Sequence, residues 1–250
     1  MIKVVVTGAA GRMGQRIVAN ACADQEVKIV GAVEAPGQTA LGKDAGELAG
    51  CGACGVVISD SLEKVLVLAD LVVDFSHVEA TVPNLKMAAR LKKAAVVGTT
   101  GHRPEQIQEI ERIARDLPVV MAANMSVGVN VLWKITEEAA TVLGKIFNVS
   151  VREVHHIHKK DKPSGTALEI VRRLANALRV APERIPVESI REGEVVGDHS
   201  VLFSGAGESL EITHRAVSRD TFALGALRAA KWIVGKKPGL YSMVDVLELK

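Results

Sequence analysis

The sequence predicts an α/β chain in which a doubly wound parallel sheet is followed by a smaller α+β part. Three observations support this prediction. Short apolar runs alternate with segments of helical spacing as far as about residue 122, a pattern typical of parallel sheets. Beyond that point, helices are grouped with long β-type runs. Aromatic residues make up only 3% of the chain against 48% hydrophobic residues, so the core must be aliphatic, as in buried parallel strands.

The first part contains five predicted strands, each a short apolar run, separated by segments with apolar residues at helical spacing. Pro104 stands near the start of one such segment, where a helix tolerates proline. In chain order the predicted elements are strand Ile2–Thr7, helix Arg12–Asp24, strand Val27–Glu34, helix Leu62–Ala69, strand Leu71–Phe75, helix Glu79–Leu91, strand Ala94–Gly98, helix Pro104–Asp116 and strand Pro118–Ala122.

The second part has fewer elements, and its β-type runs are longer. The predicted elements are helix Asn130–Leu143, strand Phe147–His156, helix Thr166–Leu178, strands near Val195–Ser204 and Ser209–Ser218, helix Thr221–Val234, and a strand or short helix within Leu240–Leu249. We predict one domain over residues 1–126, to which residues 237–250 return. A second domain over residues 127–236 would hold a mainly antiparallel, open sheet.

Composition excludes several classes of function. The net charge is +2 and the basic residues form no stripe, so the sequence does not favour nucleic-acid binding. No run approaches the roughly 18 apolar residues that span a bilayer, and the apolar N-terminus is too short for a signal peptide. With three cysteines, these features predict a cytoplasmic protein. Cys51 and Cys54 form a Cys-x-x-Cys pair that could bind metal or act in redox chemistry, but without a second pair or a nearby histidine we favour a loop with incidental thiols.

A glycine-rich turn follows the first strand. The segment Gly8-Ala9-Ala10-Gly11-Arg12-Met13-Gly14 lies between a predicted strand and a predicted helix. Glycines there let the backbone approach a pyrophosphate, and the helix start offers N–H groups and a positive dipole end. The spacing is Gly-x-x-Gly-x-x-Gly, a variant of the usual dinucleotide pattern. Its context predicts a Rossmann-type dinucleotide site.

Glu34 ends the second strand about 20 residues beyond the turn, where a carboxylate that binds the ribose is expected. The alternative is a solvated charge at a strand end. No arginine follows to pair with a 2′-phosphate, which favours NADH slightly over NADPH, although Arg12 could reach such a phosphate. The predicted cofactor is therefore NADH, NADPH or both.

The densest polar segment runs from Glu153 to Thr166 at the end of an apolar strand. Its Pro-Ser-Gly-Thr portion opens a helix and predicts an anion pocket, beside which Lys159 would bind a carboxylate or supply a proton. His155 and His156 point to opposite faces if the strand continues, and Lys159 can meet His155 only if the chain turns. A metal site on the histidines is the competing interpretation; because strand alternation separates them and lysines surround them, we predict no metal.

These residues carry a family resemblance that covers the whole chain. The segment Glu153–Ala167 matches Glu-x-His-x-x-x-Lys-x-Asp-x-Pro-Ser-Gly-Thr-Ala, the signature of the dihydrodipicolinate (4-hydroxy-tetrahydrodipicolinate) reductases of lysine and diaminopimelate biosynthesis. Further matching segments are Gly8–Gly14, Asp74–Ser76, Gly98–Gly101, Ala123–Asn130, Glu211–His214 and Phe222–Ala226. This chain departs from the family at Met125, where an aromatic residue is usual, and at His77, where an arginine is frequent.

The resemblance implies hydride transfer from NAD(P)H to a cyclic dicarboxylate, and a homotetramer built through the second domain. It implies that His155 and Lys159 are the catalytic pair. Substrate would contact His156, Ser164, Gly165, Thr166 and Thr100. The cofactor would contact Gly8, Ala10, Gly11, Arg12, Met13, Gly14, Glu34, Phe75, Gly98, Thr100, Ala122, Asn124 and Met125.

Two other functions remain as alternatives. One is a reductase similar to aspartate or homoserine dehydrogenase, which would not need the Lys-x-Asp-x-Pro-Ser-Gly-Thr segment. The other is a dinucleotide-binding regulator that kept the fold and lost catalysis, which would be expected to lack the proton donors. His155 and Lys159 are both present, which favours the enzyme.

Overall fold

The computed structural model describes residues 1–144 and 146–249. Its contacts divide the chain into two compact units, one of residues 1–126 with 220–248 and one of residues 127–219. The functional domain limits predicted from the sequence stay a prediction. In the structure the segment that returns to the first unit begins earlier than expected, at Asp220 instead of residue 237.

The first unit is built on a seven-stranded parallel sheet. Its strands are β1 Ile2–Thr7, β2 Val27–Val33, β3 Ile58–Ser59, β4 Leu71–Asp74, β5 Ala94–Val97, β6 Pro118–Met121 and β11 Gly239–Tyr241. Their order in the sheet is β11-β6-β5-β4-β1-β2-β3. Its helices are α1 Arg12–Ala23, α2 Ala45–Ala49, α3 Leu62–Leu66, α4 Val78–Arg90, α5 Pro104–Ile113, α8 Asp220–Ile233 and α9 Met243–Val246.

The strands form because their aliphatic residues can be buried on both faces of the sheet. Along β1, Val4 and Val6 pack into one apolar cluster and Val5 into another, and all three are inaccessible to solvent. The predicted doubly wound parallel sheet is thereby confirmed. The short helix α2 and the two-residue strand β3 were not predicted, because neither is long enough to show a period.

The second unit contains a four-stranded mixed sheet. Its strands are β7 Asn148–His155, β8 Val187–Arg191, β9 Gly197–Ser204 and β10 Ser209–Ala216, and its helices are α6 Val127–Leu143 and α7 Gly165–Leu178. The strand order is β10-β9-β7-β8. The pairs β10–β9 and β9–β7 are antiparallel, as predicted, whereas β7 and β8 are parallel. Strand β8 was not predicted, since it is partly exposed and carries Glu188 and Arg191.

The position of α8 in the first unit depends on a close backbone contact. A Cβ atom added to Gly225 would lie 1.7 Å from the carbonyl oxygen of Met125. Arg16 on α1 also donates two hydrogen bonds of 2.6 Å to the carboxylate of Asp220. Both contacts hold α8 to residues of the first unit.

None of the helices within residues 1–144 and 146–249 is long and apolar enough to cross a membrane. The longest of them, α6, has 17 residues, of which Lys134, Glu137 and Glu138 carry charge.

Candidate active site

The glycine-rich turn between β1 and α1 is packed so closely that side chains cannot enter it. Gly8 has φ +71°, and a Cβ atom there would lie 2.3 Å from the carbonyl oxygen of Phe75. A Cβ atom on Gly14 would lie 2.0 Å from the carbonyl oxygen of Gly8. Helix α1 then begins after Gly11, which has no side chain with which to cap it. The turn therefore leaves the positive end of α1 open to an anion, as a bound pyrophosphate requires.

Glu34 stands directly after β2 and faces this turn. Its Oε1 atom accepts a hydrogen bond of 2.7 Å from the backbone N–H of Ala10. A cavity of about 500 Å³ adjoins both, lined by residues that include Gly8, Gly11, Glu34, Pro36, Phe75 and His77. The cavity, the open helix end and the carboxylate fit the adenosine and pyrophosphate portions of a dinucleotide.

Asp74 is the last residue of β4, beside the turn, and was not predicted as a site residue. Its carboxylate is fully buried and accepts hydrogen bonds from the hydroxyl groups of Thr7 at 2.5 Å and Thr81 at 2.7 Å. Ser76 donates another at 2.5 Å. An apolar strand that ends in aspartate is the sequence signal for such a residue.

Most of the other predicted cofactor residues of the first unit lie at or after the carboxyl ends of β4, β5 and β6. The ring of Phe75 covers Gly98 so closely that a Cβ atom on Gly98 would be 2.1 Å from it. Asn124 Oδ1 accepts a hydrogen bond of 2.9 Å from the backbone N–H of Ser126. The side chain of Met125 is buried in the apolar core, and Thr100 is exposed. Arg12 and Met13 open α1, and Ala122 directly follows β6.

In the second unit, buried polar side chains meet at the end of β7. Glu153 and His155 lie two residues apart on one face of the strand, and His199 is paired with Glu153 across the antiparallel β7–β9 ladder. Nδ1 of His155 is 3.0 Å from Oε2 of Glu153. The rings of His155 and His199 meet edge to face, with 5.1 Å between their centroids. Glu153 and His199 were not predicted as site residues.

Ser164 connects this cluster to the start of α7. Its hydroxyl group caps the helix by accepting a hydrogen bond of 3.2 Å from the backbone N–H of Ala167, and it lies 3.1 Å from Nε2 of His199. The backbone N–H of Ser164 donates to Oε1 of Glu153 at 3.2 Å. Gly165 and Thr166 follow as the first residues of α7, where the helix dipole favours a negative charge.

Burial and neighbouring charges fix the protonation states of the cluster. Burial alone would raise the pKa of Glu153, but hydrogen bonds from Ser164 and Arg191 lower it below its ordinary value. Burial lowers the pKa of His155, and the charges of Lys159 and Arg191 act in the same direction. Burial lowers the pKa of His199 to about 3. The cluster therefore holds a charged carboxylate beside two neutral imidazoles near neutral pH.

The chain turns after His155, so Lys159 remains near the strand end. The backbone N–H of Lys159 donates to the carbonyl oxygen of His156 at 3.1 Å, and its ammonium group lies 2.8 Å from the carboxylate of Asp161. Lys159 is partly buried, and its charge acts on His155. His156 is partly exposed beside His158, with 6.0 Å between their ring centroids. The proposed proton donors and the start of α7 thus belong to one unit.

The same cluster has donor atoms that a metal ion could bridge. One donor atom each from Glu153, His155 and His199 lie within 4.8 Å of one another. However, Nη2 of Arg191 lies 3.0 Å from Oε1 of Glu153, and the positive charge of Lys159 also reaches the cluster. These charges oppose a cation. The absence of a metal stays a prediction.

The dinucleotide-type turn and a buried group of proton-carrying side chains define the class of a nicotinamide-dependent oxidoreductase. Comparison with known proteins gives the family. Residues 2–125 match the model for the N-terminus of dihydrodipicolinate reductase, and residues 128–247 match the model for its C-terminus. The chain belongs to the dihydrodipicolinate reductase family, which confirms the resemblance seen in the sequence.

Similar proteins agree with this assignment. The chain is 48% identical to the 4-hydroxy-tetrahydrodipicolinate reductase of Anaeromyxobacter dehalogenans strain 2CP-C, over 100% of this chain and 99% of that protein. It is 45% identical to the enzyme of the same name from Syntrophotalea carbinolica, over the full length of both. Its fold matches that of a dipicolinate-bound dihydrodipicolinate reductase from Paenisporosarcina sp. TG-14, with a TM-score of 0.83 at 21% identity and 98% coverage of both chains.

Proposed function

We propose that this chain converts 4-hydroxy-tetrahydrodipicolinate to tetrahydrodipicolinate with NADH or NADPH, in lysine and diaminopimelate biosynthesis. The 4-hydroxyl group leaves as water together with a neighbouring ring hydrogen, and the C=C bond so formed then takes up a hydride at C4 and a proton at the adjacent carbon. Membership of the reductase family supports this reaction. The observation that carries the proposal is the arrangement of His155 beside the buried carboxylate of Glu153, at 3.0 Å, next to Lys159 and the start of α7. This arrangement provides both a carboxylate pocket and proton donors, which a cyclic dicarboxylate substrate needs.

The start of α7 is the proposed pocket for a substrate carboxylate. Ser164 caps the helix, and Gly165 and Thr166 form its first turn, where the dipole attracts a negative charge. A Cβ atom added to Gly165 would meet nothing within 4 Å, so the pocket is open at this point. His156 and Thr100 are the further proposed substrate contacts. Two carboxylate contacts would fix which face of the ring is reduced.

Residues of the first unit are proposed to hold the cofactor. The turn Gly8–Gly14 would receive the pyrophosphate and Glu34 the ribose hydroxyls, while Gly98, Thr100, and residues 122–125 would lie at the nicotinamide. When bound, the nicotinamide supplies the hydride to C4 of the substrate ring. The carboxylate of Glu34 favours ribose hydroxyls over a 2′-phosphate, because like charges repel. We therefore propose a modest preference for NADH.

His155 and Lys159 are the proposed source of the proton that the reduced ring needs next to its imine. Lys159 carries a positive charge and can hold a negative ring in place. A substrate with two carboxylates brings negative charge to the site, and this raises the pKa of His155 towards the range in which it donates protons. Glu153 would stabilise the imidazolium form.

A cytoplasmic homotetramer is the proposed state of the protein. The outer strand β10 leaves one edge of the second sheet unpaired among the described residues, and most of its side chains are exposed. Leu202 and Leu210 are exposed by 36% and 42%, so this region has apolar surface for a second copy to cover. Light scattering coupled to size exclusion tests this state; a monomer at micromolar concentration would refute it.

A coupled assay tests the reaction. Substrate is generated in place from pyruvate and aspartate semialdehyde by the preceding synthase, and the absorbance of NADH or NADPH is followed. Oxidation that needs both the synthase and this protein supports the reductase, and the ratio of the two rates gives the cofactor preference. If protein that binds NADH oxidises neither cofactor, the proposed reaction is wrong and the regulator becomes the better hypothesis.

A further inference from the structure

A single buried carboxylate connects the two proposed functions of the second unit, carboxylate binding and proton transfer. Oε1 of Glu153 accepts hydrogen bonds from the backbone N–H of Ser164 at 3.2 Å and from Nη2 of Arg191 at 3.0 Å. Its other oxygen, Oε2, lies 3.0 Å from Nδ1 of His155. Glu153 is fully buried, so water does not compete for these contacts. The start of α7 and the ring of His155 therefore both contact the side chain of Glu153.

The contact between Glu153 and His155 selects one form of the imidazole. Neither Oε2 nor Nδ1 has a hydrogen-bond partner elsewhere in residues 1–144 and 146–249, and the 3.0 Å between them is within hydrogen-bonding distance. A carboxylate at this position favours the proton on Nδ1 and leaves Nε2 for the substrate side. On that side Gly197 is close, since a Cβ atom there would be 3.0 Å from Nε2 of His155.

His199 is a neutral residue that packs against the ring of His155. It packs edge to face on His155 and lies 3.1 Å from the hydroxyl group of Ser164. Because its side chain is only 5% exposed, its charged form is strongly disfavoured. His199 therefore contacts both the ring of His155 and the cap of α7 without adding charge.

We infer that Glu153 and His199 are positioning residues: Glu153 fixes the Nδ1-protonated tautomer of His155, and His199 aligns that ring with Ser164. This inference rests on the proposed function, because it assigns these residues to the proton transfer of the same reaction. It adds two residues that would not touch the substrate. Each acts through a neighbour that would.

Charged groups from every neighbouring element determine how His155 titrates. Glu153 on β7 and Asp161 in the following loop raise its pKa, and Lys159 and Arg191 lower it. When the carboxylate charge of Glu153 is removed, it no longer offsets the effect of Lys159 and Arg191 on the pKa of His155. The pKa of His155 then falls further, and the fraction able to donate a proton falls with it.

The variant Glu153→Gln tests the inference, since the amide keeps the shape and removes the charge. Nitrogen NMR of the histidine rings in the full chain reports the tautomer and pKa of His155 and does not depend on activity. We expect the Nδ1-protonated form in the natural protein and a mixture with a lower pKa in the variant. We expect kcat/KM to fall by about ten- to a hundredfold and its high-pH limb to move to lower pH. NADH affinity should stay the same.

Glu188→Gln is the matched control, because Glu188 is an exposed carboxylate on the neighbouring strand β8 that pairs with Arg152. It should change neither the tautomer nor the rate. If Glu153→Gln does not fold, Glu153→Asp replaces it; the retained charge should keep the pKa of His155 near its natural value while the rate falls. His199→Phe, which keeps a ring but loses the contact to Ser164, should raise KM for the substrate more than it lowers kcat.

An unchanged tautomer and pH profile in Glu153→Gln would overturn the inference and leave a structural role only; where Glu153→Asp is used instead, a shifted pKa of His155 or an unchanged rate would overturn it. Failure of the proposed function gives a different result. In that case the natural protein oxidises neither cofactor in the coupled assay, while the NMR measurement still reports whether Glu153 controls His155.

Discussion

The carboxylate of Glu34 and the backbone of Ala10 are joined by a hydrogen bond of 2.7 Å. The residue expected to bind the ribose therefore also holds the glycine-rich turn that would bind the pyrophosphate. Its second oxygen accepts a hydrogen bond of 3.3 Å from the backbone N–H of Ala35. Replacement by alanine would disturb both functions, so the two must be separated by a substitution that keeps the shape.

Glu34→Gln is such a substitution, because its amide oxygen can still accept from Ala10. We expect the affinity for NADH to fall and the affinity for NADPH to rise, since the repulsion of a 2′-phosphate is lost. The ratio of the two dissociation constants should change by about tenfold, or about 1.4 kcal/mol. Fluorescence titration of both cofactors measures it. Glu26→Gln removes an exposed carboxylate at the opposite end of β2 and should leave the ratio alone; an equal change in both variants would contradict the ribose contact.

The contact between Gly225 and Met125 gives a prediction of stability. Alanine has a higher helix propensity than glycine by about 1 kcal/mol. Gly225→Ala should nevertheless destabilise the chain by about 1–3 kcal/mol, because its Cβ would lie 1.7 Å from the carbonyl oxygen of Met125. Urea unfolding measures the change. Gly165→Ala, at a helical position with nothing within 4 Å, should be neutral or slightly stabilising. Equal free energies of unfolding for the two variants would argue against the close packing of α8.

The hydrogen bonds that Asp44 accepts predict that the stability of the protein depends on pH. Its carboxylate accepts hydrogen bonds from four backbone N–H groups, those of Cys54, Glu47, Gly55 and Gly46, which lower its pKa from 3.8 to about 2. Because the pKa is lower in the folded state, the stabilisation is present above pH about 4 and is lost as the pH falls towards 2. Asp44→Ala should be less stable than the natural protein at neutral pH, and the difference should shrink through this window. Denaturant unfolding at several pH values checks this. Asp116→Ala, which removes an exposed carboxylate, is the control and should leave the stability at neutral pH nearly unchanged.

The sequence predicted those parts of the fold and site that are formed by residues close together in the chain. Strand β1, the glycine turn and α1 follow one another in the chain, and so do the segments that bring Lys159 and Ser164 together. His199 had no local signal, because it reaches Glu153 only through antiparallel pairing of β7 with β9. The sequence likewise did not predict that Cys22 lies beside Cys51 and Cys54.

The cysteines show the same limit. The sequence presents Cys51 and Cys54 as a pair in a loop, and the structure adds Cys22 from α1. The thiol of Cys22 is within hydrogen-bonding reach of both. Partial burial of the thiol and the two neighbouring thiols raise the pKa of Cys22 to about 12, so the thiol is protonated at neutral pH although the residue is exposed. The three thiols come together only when α1 packs against the loop of Cys51 and Cys54. The spacing of the cysteines in the sequence does not predict that contact.

Lys159 gives the sharpest test of the proposed chemistry. Lys159→Met keeps most of the length and apolar character of the side chain but removes the ammonium group that lies 2.8 Å from Asp161. We expect turnover to fall by about a hundredfold or more, as expected when a positioned proton donor is lost. NADH affinity should survive, since the turn that would bind the dinucleotide belongs to the other unit.

Lys160→Met is the matched control, because Lys160 is the exposed neighbour in the same segment. It should retain near-natural turnover. Steady-state rates in the coupled assay, with cofactor binding measured separately, distinguish the two variants. If both lose the same fraction of activity, Lys159 contributes only general positive charge; if Lys159→Met turns over normally, His155 must donate the proton without it.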